Sequence, residues 1–138
     1  MKFDKNKFPS CFPENIPPVD SEYQNIKENV YRICKWGKID IKAFMPTFVE
    51  DRMGWGKKYD KGSCGYYALS LYGDVNYLEK MLRNFFRYTP EAIIAVGKIV
   101  AKYGPSSREY DPNKKAGKSH INWWLHKDAA PHEEFSRY

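Results

Sequence analysis

The chain has 138 residues and a formal net charge of +6. It holds 11 Tyr, 8 Phe and 4 Trp, which together outnumber its Ile, Leu and Val. This length fits one domain that buries roughly two thirds of its unfolded surface; no run approaches the apolar length of a membrane span, and so aromatic a core favours sheet.

The first 20 residues place Pro9, Pro13, Pro17 and Pro18 among Phe3, Phe8 and Phe12. Proline at that density blocks a helix, so residues 1–20 read as an extended arm, and the three Phe imply that it docks on the body, a single domain over 21–138. Residues 21–28 (SEYQNIKE) are expected to form a short helical turn. Asn29 to Trp36 (NVYRICKW) reads as a first strand, rich in β-branched and aromatic types. Residues 42–49 are apolar, but Pro46 rules out a central strand there.

Arg52 to Gly65 mixes Gly54, Gly56, Gly62 and Gly65 with Lys57, Lys58 and Lys61. A phosphate-cradling glycine run follows a strand and opens a helix. Here the glycines precede the strand-like Tyr66 to Tyr72, so dinucleotide-fold and P-loop readings both fail and a basic loop remains. Asp74 is a good N-cap, and Val75, Leu78, Met81, Leu82, Phe85 and Phe86 keep helical spacing behind it. Residues 91–103 (EAIIAVGKIVAKY) are taken as a strand for their β-branched content. A polar, basic loop is expected over 105–118, with Lys114, Lys115 and Lys118 in it.

Ser119 to Lys127 (SHINWWLHK) alternates. Ile121, Trp123 and Leu125 fall on one side of a strand, expected to share a core with Leu78, Leu82 and Phe85. His120, Asn122, Trp124 and His126 fall on the other. Residues 129–138 read as a polar tail. The sum is an α+β fold: a small mixed or antiparallel sheet of about four strands, one main helix packed on it, and long basic loops.

Charge is uneven. Residues 1–28 carry four Lys and five acids, while residues 80–127 carry ten Lys or Arg and three acids. A basic half points to a phosphate-bearing partner, nucleotide or nucleic acid. Cys11, Cys34 and Cys64 form no CxxC pair, and Met1 opens no apolar leader, which is the pattern of a reduced, cytoplasmic protein. No local ligand pair supports a metal, and no motif calls for a cofactor.

The working face is expected to combine Arg32, His120, Asn122 and Trp124 with Lys57, Lys58, Lys114, Lys115 and Lys118. Arg32 shares its strand face with Val30, Cys34 and Trp36, so its guanidinium needs an anionic partner: an internal carboxylate, or a bidentate phosphate. His120 is the candidate acid or base near neutral pH, with Asn122 orienting a ligand beside it. If Arg32 and His120 share a pocket, their strands should be neighbours. The aromatics equally suit a protein-interaction module, anti-defence or antitoxin-like.

Two resemblances follow from these residues. Tyr31-Arg32-Ile33, Ala43-Phe44-Met45-Pro46-Thr47, Tyr67-Ala68-Leu69-Ser70-Leu71 and Ser119-His120 resemble, block by block, a small family of uncharacterised bacterial proteins, which implies a bacterial or phage-type domain. More distantly, Arg32, Ser70 or Tyr72, and Glu133 or Glu134 resemble the strand residues of ADP-ribosyltransferase-type domains. That likeness implies nucleotide-directed transfer or hydrolysis.

Overall fold

The computed structural model describes residues 3–52, 63–84, 90–108 and 119–138. Among them, six strands form one antiparallel sheet: β1 (Val30–Cys34), β2 (Leu69–Tyr72), β3 (Ile93–Gly97), β4 (Ser106–Arg108), β5 (His120–Trp123) and β6 (Phe135–Arg137). Two helices accompany it, α1 (Thr47–Arg52) and the longer α2 (Val75–Asn84). The spatial order is β4-β5-β2-β1-β3-β6. The protein is therefore α+β, with a sheet and one main helix.

Alternation along each strand sends residues to two faces, and both faces are covered. On the first, Val30, Cys34, Leu69, Leu71, Ala95, Ile121, Trp123 and Phe135 join Ala43, Phe44, Ile99 and Leu125 in one buried cluster. Short 3-10 turns at Ile41–Phe44 and Pro131–Glu134 lie beside it. The second face is divided. At one end Trp124 and Ala68 pack with Phe3, Phe8, Phe12 and Ile16 of the arm and with Phe48 and Tyr66. At the other end α2 leans on the sheet, bringing Tyr77 against Tyr72.

Ile121, Trp123 and Leu125 do share a core, but Leu78 is not in it. Leu78 is buried outside that cluster, on a helix whose Tyr77 meets the second face. Leu82 is half-buried, and Phe85 lies outside the described residues. Asp74 caps α2 as expected, its carboxylate accepting the Asn76 N–H at 3.0 Å.

Four expectations need correction. Residues 21–28 are extended instead of helical, because their backbone finds partners elsewhere. Glu22 exchanges both hydrogen bonds with Ser106, and the Asn25 side chain accepts the Ala101 N–H. One isolated turn has no such compensation. The strand expected over 91–103 stops at Gly97, and a 3-10 turn at Ala101–Tyr103 ends on Gly104 at φ +144°. Ser106–Arg108, read as loop, is the edge strand β4. The polar tail ends in β6, antiparallel to β3, with Phe135 turned into the core.

Candidate functional site

Arg32 sits on the first face, beside its register partner Ala95. Its guanidinium donates to the carbonyls of Ala43 (2.7 Å), Ser70 (2.9 Å) and Met45 (3.3 Å). Glu50 lies 3.5 Å away, and both side chains are only 14% exposed. The partner is thus an internal carboxylate joined by three backbone oxygens. Glu50 in turn holds Lys35 at 3.0 Å. Arg32 ties β1, β2 and the 41–45 segment together, and its fork has no edge left over for a phosphate.

His120 sits on the second face, paired across the sheet with Tyr72. β2 separates its strand from β1. Arg32 and His120 therefore share neither a face nor adjacent strands, which ends the expected common pocket. The same division keeps Arg32 away from the side chains of Ser70 and Tyr72. Glu134 faces Lys102 at 3.5 Å, beside the far edge strand. The three positions of the transferase resemblance are not brought together.

Trp124 is not a ligand platform. It is 1% exposed beneath the arm, and its indole N–H donates to the Cys64 carbonyl at 3.0 Å. Asn122 is 6% exposed and lies in a cross-strand row with Ser70 on β2 and Ser107 on β4. Lys57, Lys58, Lys114, Lys115 and Lys118 lie outside the described residues.

What gathers around His120 is a column of rings. The imidazole lies over Tyr72 with ring centres 5.3 Å apart and planes 30° apart. Tyr72 lies over Tyr77 at 5.5 Å and 38°. All three side chains are half-buried. Arg108 is not part of this column: it pairs with Ile121 of the first face, and its guanidinium nitrogen stands 3.8 Å from where a Cβ of Gly73 would point, on that same face. Tyr77 escaped the sequence reading. Tyr77 stands off the Leu stripe of α2. Its only signal was type, an aromatic side chain.

The cysteines offer no nucleophile beside His120. Cys34 is buried on the first face, and burial pushes its thiol up to about 11, with Arg32 opposing and Asp40 adding. Among the described residues no group of His, Cys, Asp or Glu could hold a metal ion. No helix among them is long and apolar enough to cross a membrane. A polar cleft of about 660 Å³ opens between residues 20–28 and β4, but Asp20, Glu22 and Glu28 outnumber Lys27 and Arg108 along it. That balance disfavours an anion. Comparison with protein-family models, with curated proteins and with solved structures gave no match.

Proposed function

We propose that this protein binds a phosphate-bearing ligand, a nucleotide or single-stranded nucleic acid, at the ring column of Tyr77, Tyr72 and His120. The observation that carries the reading is that column of half-buried rings. Any base has a π-face, so half-buried rings accept one without reading its edge, at about 1–3 kcal/mol per stacked base. The net charge of +6 adds a long-range attraction of the right sign. His120 here is a stacking group, and the reading needs no bond-making chemistry.

The test is fluorescence anisotropy with labelled oligo-dT and oligo-U at low salt, beside equilibrium dialysis with mononucleotides. Tyr72→Ala and His120→Ala should each weaken binding by about tenfold, the worth of one lost stack. Affinity should fall linearly with salt on logarithmic axes, at about 0.9 per neutralised phosphate on a duplex and less on a single strand. Absence of binding to every probe at low salt would remove this reading and leave a protein partner as the alternative. Binding indifferent to both substitutions would move the site elsewhere.

A further inference from the structure

His126 joins the arm to the body. It lies one alternation beyond Trp124, and the arm closes over it. The Phe8 ring meets the imidazole edge-to-face at 5.0 Å, and Tyr23 leans on it at 5.6 Å. The Tyr23 hydroxyl is 2.8 Å from Nε2. Phe3 packs on both Phe8 and Tyr23, so one small aromatic cluster spans arm and imidazole. The next residue, Lys127, donates its backbone N–H to the Lys7 carbonyl of the arm at 2.9 Å. The Lys102 backbone lies close enough to favour a proton on the ring, and Nε2 shares its hydrogen bond with the Tyr23 hydroxyl.

A second proton on this ring is poorly accommodated. Lys7 faces it from the arm as a like charge. Phe8 and Tyr23 take water from it. Burial first, and then Asp4, push the Tyr23 phenol up. Lys127 and Asp128 flank the ring in the chain with opposite signs. We propose that residues 3–20 form a pH-sensitive strap, held down while His126 is neutral and released when it is protonated.

Burial first and Lys7 second hold His126 below its ordinary value of 6.5, against the Lys102 carbonyl. The released imidazole returns to that ordinary value. Docking is therefore at full strength above about pH 6.5 and weakens as pH falls toward the depressed value, the released fraction rising about tenfold per pH unit in that window. Release would bare Trp124, next to Asn122 on the face that carries the ring column. The strap is independent of any ligand there.

The test is an NMR titration of the whole protein from about pH 8 to about pH 5, following the His126 imidazole and the exchange protection of the Phe8 and Phe12 amides. The two should share a midpoint below the ordinary imidazole value. Lys7→Gln should raise the His126 midpoint and leave a smaller fraction of the arm released at the acid end, because the docked state then tolerates the proton better, and His126→Phe should keep the arm protected throughout. An arm that stays protected while His126 charges would overturn the proposal. So would a Lys7→Gln protein in which both the His126 midpoint and the fraction of arm released at the acid end are unchanged; that variant is on the exposed side of the arm and leaves the imidazole in place should His126→Phe fail to fold.

Discussion

Arg32 shows how a single side chain can be read correctly in need and wrongly in purpose. Its apolar neighbours on β1 demanded an anionic partner, and that demand was legible in NVYRICKW. The partners were not, because Ala43, Met45, Glu50 and Ser70 come from two other segments of the chain. Removing the guanidinium strands three carbonyls and breaks a poorly exposed pair. Arg32→Met should therefore lose about 3–5 kcal/mol in urea unfolding. Arg32→Lys should lose less, about 1–3 kcal/mol, since an ammonium donates but cannot fork across three segments. Neither change should alter nucleotide affinity in protein that remains folded. A melting midpoint that stays at the wild-type value in both variants would return Arg32 to the list of ligand-binding candidates. Trp124 carries the complementary lesson: alternation placed it correctly opposite Trp123, but its cover comes from more than a hundred residues away, in the arm.

At the scale of elements, long periodic segments were legible and short edge strands were not. β1, β2, α2 and β5 each carry enough alternation or helical spacing to show themselves. β4 and β6 are three residues each, and β6 has one apolar side chain, Phe135. Its place at the sheet edge depends on a close approach that no local pattern encodes. A Cβ on Gly97 would stand 2.3 Å from the Glu134 carbonyl oxygen and 2.6 Å from the Phe135 ring. Gly97→Ala must push β6 away from β3, and overpacking of this kind costs about 1–3 kcal/mol. The amide of Tyr138, which donates to Ile94 at 2.9 Å, should then exchange faster, while amides in the β2–β5 pairing keep their protection. Uniform loss of protection across the sheet would mean that β6 is not a separable edge.

For the molecule as a whole, the two buried clusters differ in standing. The first is built from all the central strands, whereas the second exists only while residues 3–16 lie on the sheet. Phe8 and Ile16 are each 2% exposed in that second cluster, as deeply buried as many core residues. Replacing either by Ala removes contacts for which about 2–5 kcal/mol is the usual loss in a core. If the arm docks as its own unit, however, the loss is capped at the free energy of docking. Past that cap the arm is simply off, and further truncation in it changes nothing. Phe8→Ala with Ile16→Ala should therefore destabilise the protein by clearly less than the sum of the single changes, and the sheet's far-UV signal should persist. Trp123→Ala has no cap. That residue is fully buried on the first face, with its indole N–H on the Gly104 carbonyl at 3.0 Å, and its loss of about 3–5 kcal/mol should add in full to any arm variant. Urea unfolding of the two single arm variants, their double and the Trp123→Ala combinations measures every term. Full additivity of Phe8→Ala and Ile16→Ala would make the arm one cooperative unit with the sheet. A strap that leaves under protonation while the sheet stays folded would then be impossible, because the proton on His126 could release the arm only by unfolding everything beneath it.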